Sequence, residues 1–259
     1  DVREMEKIDK TKVGIEPLKS PVITKTEINS DKINPPADRD ANIVTIVPLG
    51  TSANAYGWGY GGGQESLIPV NEDLNTIAVI HRMGGDDDIG GYSGDLGYDV
   101  SFDGGLTWTT MIEFYIATEN EGGTYYTDAA RYPNAGILNP TGSSDPADSY
   151  LTYFAATLLG TNDIWGGYAS GVANFGDTSI HTKNLYNDLD YDADVPFSYF
   201  ITSQGVAFSV DNDLTLLENS SVYNDQIIVA KGVWDEDLQD MVYTFTPIDA
   251  PMDVSARPY

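Results

Sequence analysis

The sequence predicts an all-β protein, on three observations. From Ala41 onward, apolar runs of four to eight residues, rich in β-branched and aromatic side chains, alternate with Gly, Asn and Asp clusters. No window sustains a helical apolar period with caps at its ends. Tyr (17 residues) and Gly (26 residues) are both abundant, the one suited to a pleated, half-buried surface and the other to tight turns.

The expected strands, in order, are residues 42–47, 76–80, 97–101, 150–156, 198–202, 206–210, 226–230 and 241–246. Thr76-Ile77-Ala78-Val79-Ile80 and Tyr150-Leu151-Thr152-Tyr153-Phe154-Ala155-Ala156 are the most continuous, as strands buried on both faces should be. Residues 1–40 read differently. They contain no aromatic residue, are interrupted by Pro17, Pro21, Pro35 and Pro36, and are expected to form an extended arm or linker, with 41–259 as the folded part.

Composition narrows the partners. No stretch approaches the roughly 18 apolar residues that span a bilayer, so membrane insertion is not expected. The chain opens at Asp1 without the charged and apolar regions of a signal peptide, and is expected to be the mature form of a secreted or cell-surface protein. Zero Cys excludes thiolate metal sites, Cys nucleophiles and disulfides. Net charge is −27, and residues 41–259 hold five basic residues against thirty-one acids, a net of −26. Such a field repels nucleic acid and anionic membrane, and attracts Ca²⁺.

One motif stands out, Ser101-Phe102-Asp103-Gly104-Gly105-Leu106-Thr107-Trp108. The Asp103 carboxylate is placed to accept backbone N–H groups inside a turn, and the glycines permit positive φ. Thr107 leads back into a strand, where Trp108 can lie across the hairpin. Residues 97–108 also align without gaps to 205–216, with Gly, Ser, Asp, Leu and Thr at the same offsets, 108 residues apart. That separation equals about two propeller blades of roughly 40–50 residues. Tyr150–Phe175 then reads as an intervening blade and the region after residue 222 as the start of another.

Residues 101–108 resemble the Asp-box of bacterial neuraminidase repeats, Ser-x-Asp-x-Gly-x-Thr-Trp. The resemblance implies a sialidase-like β-propeller with the box in the turn between the third and fourth strands of a blade. Ser101, Asp103, Gly105, Thr107 and Trp108 are then structural. The texture is similar to that of exported Bacteroidota proteins carried by type IX secretion. The fold expected is a partial β-propeller of four-stranded antiparallel blades, three to four of them, forming the N-terminal part of a longer protein.

Sialidase chemistry itself finds little support. The family clamps substrate with three arginines, whereas only Arg82, Arg131 and Arg257 follow residue 40, and the family's opening Arg-Ile-Pro motif is absent. His81 and His181 have no nucleophile motif beside them and are expected to be plain strand or loop residues. For a metal, the alternation Asp188, Asp190, Asp192, Asp194 is the candidate Ca²⁺ loop, while Asp86-Asp87-Asp88 and Asp235-Glu236-Asp237 read as solvated tips. Tyr56, Trp58 and Tyr60, beside Gly61-Gly62-Gly63, are a candidate carbohydrate platform. The leading expectation is an exported binding or adhesion module for protein or glycan, with residues 1–40 as a contact for secretion machinery or a partner. The alternative is a glycoside hydrolase of the same fold, for which two suitably spaced carboxylates suffice.

Overall fold

The computed structural model describes residues 46–52, 66–83, 94–119, 125–159, 165–217 and 220–249. The chain divides into units Asp1–Val47 and Pro48–Tyr259. The arm expected over residues 1–40 lies outside the described residues.

The second unit is all-β. Its first sheet comprises β1 (Val70–Asn71), β2 (Thr76–Arg82), β3 (Leu96–Ser101) and β4 (Thr109–Tyr115). The second sheet comprises β5 (Ala130–Leu138), β6 (Tyr150–Leu158), β7 (Trp165–Asn174) and β8 (Asn184–Tyr186). The third comprises β9 (Tyr199–Ile201), β10 (Val206–Leu217), β11 (Ser220–Asp235) and β12 (Asp240–Asp249). Every neighbouring pair is antiparallel and spatial order follows chain order, so each sheet is a local meander. Tyr150–Phe175 is therefore not a whole blade but the middle two strands of the second sheet, and residues after 222 complete the third sheet instead of opening another.

The second sheet is buried on both faces, and period-2 alternation divides its side chains between its neighbours. Leu151, Tyr153 and Ala155 of β6 join Ala78, Ile80, Leu96, Tyr98 and Phe114 in one core. Tyr150 and Phe154 join Tyr168, Tyr199, Ala207, Ala230, Met241 and Tyr243 in the other. Aromatic edges stitch both interfaces. Phe114 and Tyr153 meet at 5.1 Å in a T-shape, and Tyr168 stacks on Phe245 at 5.6 Å.

The third sheet differs. Its inner face is closed, but its outer face presents Phe200 (64% exposed), Phe208 (38%), Val233 (45%) and Val242 (44%). These fall into cross-strand rows, Phe200 opposite Phe208 and Val206–Val233–Val242 side by side. A solvated antiparallel face is ordinarily polar; this one mixes these apolar side chains with the exposed Lys231 and Thr244, which continue the Phe200–Phe208 row.

The first strands of the sheets converge. β5 packs against β2 and β9. Ser66, just before β1, ties the convergence together: its N–H donates to Asn134 Oδ1 (3.0 Å) and its carbonyl accepts the Ala135 N–H (2.7 Å). Its hydroxyl donates to the Tyr199 carbonyl (2.8 Å) and accepts the Tyr199 N–H (3.1 Å). One residue thus joins the chain leading into the first sheet to β5 and β9.

Candidate functional site

Residues 102–108 form the turn between β3 and β4, the third and fourth strands of their sheet. Asp103 is its centre. Oδ1 accepts the N–H groups of Leu106 (2.9 Å) and Thr107 (2.8 Å) and the Ser101 hydroxyl (2.8 Å), and Oδ2 accepts the Thr107 hydroxyl (2.6 Å). Ser101 Oγ in turn accepts the Gly105 N–H at 2.8 Å. Gly104 and Gly105, at φ 69° and 91°, occupy the left-handed region that a side chain resists. The Trp108 indole N–H donates to the Gly105 carbonyl at 3.0 Å. Hydrogen bonds from Thr107, side chain first and backbone second, then from Ser101, hold the Asp103 carboxyl at about 2. The side-chain hydrogen bonds of the motif are satisfied within the turn itself, and the Gly104 N–H ties the turn to the Asn75 carbonyl at 2.9 Å, as befits scaffold.

The echo at 205–216 does not form such a turn. β10 runs through it, with only a bulge between Asn212 and Leu214. Asp211, 3% exposed, accepts the Tyr168 hydroxyl (2.5 Å) and the Asp194 N–H (2.9 Å) on Oδ2. Burial, with the Asp194 charge adding, pushes its carboxyl up to about 7. Asn212 and Asp213 stand where the box has two glycines, so the chain stays extended.

The four acids of the expected Ca²⁺ loop differ in their surroundings. Asp188 and Asp190 are not buried, Asp192 is half-buried and pairs through its backbone with Leu214, and Asp194 is buried. Among the described residues no three acidic or His side chains form a group able to hold a metal. Tyr56, Trp58, Tyr60 and Asp86-Asp87-Asp88 lie outside the described residues. Asp235, by contrast, does close the expected hairpin tip, accepting the N–H groups of Asp237 and Leu238 at 3.0 Å each.

Arg82 and Arg131 are buried in strands, Arg131 donating to the Ala130 carbonyl at 2.9 Å; Arg257 lies outside the described residues. His181 is exposed. His81, fully buried, approaches Asp99 with Nε2 3.4 Å from Oδ1. Asp99 also accepts the N–H groups of Met111 (2.7 Å) and Gly50 (2.8 Å). Burial pushes the Asp99 carboxyl up, but His81 and the two N–H donors outweigh it and hold the carboxyl low. Met111 sits at φ 60°, unusual for a non-glycine residue, so Asp99 anchors a strained backbone and the covering segment at Gly50.

Two openings bear on binding. One, of about 590 Å³, lies at the converging first strands and is lined by residues 66–70, 135–137 and 199–201. The other, of about 530 Å³, lies between the second and third sheets, where the 139–149 loop faces the β11–β12 hairpin. Trp234, half-buried, lines it beside Tyr150, the two rings 5.0 Å apart between centroids. The Trp234 backbone N–H donates to the Gly205 carbonyl at 2.7 Å, fixing it to the β9–β10 turn.

The walls of this cleft are held. Asn174 donates to the carbonyls of Ala147 (3.2 Å) and Ser149 (3.3 Å) and accepts the N–H groups of Gly176 (3.0 Å) and Asp177 (2.8 Å). The one-turn 3-10 helix Pro146–Asp148 is capped by Asp145, which accepts the Ala147 N–H at 3.0 Å. Asp148, Glu236 and Gln239 stand exposed around the opening. In the sequence Glu236 is distinguished only as part of an acidic tip, and nothing there marks Trp234 or Tyr150. The chain matches no family model and no curated protein.

Proposed function

We propose that the chain is a run of blades of an exported, sialidase-like β-propeller that works as a binding module for a glycan or a protein at the cell surface, carried by secretion machinery of the type IX kind. The observation that carries this reading is the succession of three four-stranded meanders whose first strands meet at Ser66. Propellers set four-stranded sheets radially about a central channel, typically four to eight of them. The three sheets of the described residues fall short of that number, and the exposed Phe200, Phe208, Val233 and Val242 on the outer face of the third make it a surface on which a further blade would pack. The Asp103-centred turn at the third-to-fourth strand connection supports the Asp-box reading of the first sheet. The absence of Cys fits export, and the acidic surface disfavours anionic ligands.

The carboxylates of the strands and of the box turn serve the scaffold. Asp99, Asp103 and Asp211 are each engaged by neighbouring donors. The test is incubation of the purified chain with a glycan panel and with intact cell surfaces. Retention without turnover is the expected result. Hydrolysis of any glycan, abolished by one carboxylate-to-amide substitution, would replace this reading with a glycoside hydrolase.

A further inference from the structure

We infer that the cleft over Trp234 is a binding site for a neutral oligosaccharide, with one sugar ring lying on the indole; this rests on the binding-module reading above. Its volume, about 530 Å³, falls within the roughly 300–1,000 Å³ of small-molecule sites. Of the two rings lining it, Trp234 is the more exposed: Tyr150 is 8% exposed, while Trp234 is half-buried, packed against the core on one side and bordering the cleft on the other. A single flat apolar platform suits the C–H face of a pyranose, whereas an ammonium group is caged by several rings.

The rim supplies what sugar hydroxyls need. Asp148 and Glu236 are acceptors and Gln239 is both donor and acceptor. None of the three is hydrogen-bonded through its side chain to another described residue, so these groups remain available. The platform and both walls are fixed in advance by the Trp234–Gly205 bond, the Asn174 bonds and the Asp235-closed hairpin. Such pre-organisation reduces the ordering cost of binding. Two carboxylates at the rim, within a protein of net charge −27, select against uronic, sulfated or sialylated sugars.

The experiment is calorimetric titration of the 259-residue chain with cellotetraose, xylotetraose, mannotetraose and chitotetraose, and with tetragalacturonate and choline as anionic and cationic probes. At least one neutral tetrasaccharide should bind and tetragalacturonate should not. Trp234→Ala should weaken binding by about tenfold or more, as loss of a central aromatic anchor does. Because that change also opens space beside Tyr150, Glu236→Gln is the second variant. It lies on an exposed hairpin tip and should weaken binding several-fold with the melting temperature unchanged. Binding of no neutral tetrasaccharide, or choline binding that depends on Trp234, would overturn the assignment. Sugar binding that neither variant alters would also overturn the cleft while leaving the binding-module reading intact; that reading fails separately, by absence of retention on glycans and cell surfaces alike.

Discussion

Asp103 and Asp211 occupy matching positions in the two aligned segments, yet their surroundings drive their protons in opposite directions. Asp103 is held at about 2 against an ordinary 3.8, so the unfolded chain binds its proton more readily. Its contribution to stability is complete above about pH 4 and lost as pH falls toward 2. Asp103→Asn should therefore lower the melting temperature at pH 7, and the gap from wild type should close as pH approaches 2. Asp211, held near 7 against an ordinary 3.8, is the reverse. Its native form keeps a proton that the unfolded chain gives up, so its contribution is complete below about pH 4 and lost as pH rises through 7. Stability derived from urea unfolding across that window should decline by an amount on the order of 1–4 kcal/mol. Asp211→Asn should flatten the decline. A wild-type profile that is level from pH 4 to 7 would contradict the buried, protonated assignment.

At the scale of elements, what the sequence reveals depends on whether a strand needs its own β-forming side chains. β2, β3, β6, β9, β10, β11 and β12 fall on the runs expected from sequence, because Val, Ile, Tyr and Phe recur there. β7 is hidden, its sequence Trp165–Asn174 containing three glycines and three alanines or serines. The small residues answer a packing need that appears only in three dimensions. A Cβ at Gly167 or Gly171 would run into the carbonyl oxygens of Tyr186 and Thr182, where β8 and the segment before it cross closely. Gly171→Ala should accordingly cost about 1–3 kcal/mol through overpacking, read as a lower denaturation midpoint with an unchanged slope. β5 is hidden by Pro133, which would disqualify a regular strand. It sits in the register shift between Arg131 and Asn134, where the ladder does not require its missing N–H. The box turn is legible because its side-chain hydrogen bonds are local. Its echo misleads for the complementary reason: Ser209 bonds to the Ser198 carbonyl (2.8 Å) and Asp211 to another sheet, neither of which a local pattern encodes.

For the whole molecule, the alternation of burial marks which surfaces are finished. The second sheet is enclosed on both faces, whereas the third carries Phe200, Phe208, Val233 and Val242 outward. These side chains are neighbours across the strands, beside Lys231 and Thr244, and are not singly scattered surface apolars. Replacing Phe208, Val233 and Val242 together with Thr should suppress dye binding and self-association while moving the melting temperature by only a few degrees. A large fall in melting temperature would mean that these side chains already serve the fold of the isolated chain. The cleft over Trp234 belongs to this scale too. Tyr150 and Trp234 come from different sheets, and no spacing in the sequence links them, so only the packing of the second sheet on the third reveals the platform.

The Ser66 knot has a consequence for the order of events in folding. Each meander closes through short connections, but Ser66 meets Asn134 68 residues away and Tyr199 133 residues away. Closing such loops is entropically slow. The sheets should therefore form first and be locked together last, after the barrier is crossed. Ser66→Ala, which deletes the hydroxyl shared with Tyr199, is expected to speed unfolding on the order of tenfold and leave the refolding limb nearly unchanged. In kinetic terms the serine is a latch, setting how long the assembled sheets stay together and not how fast they find each other.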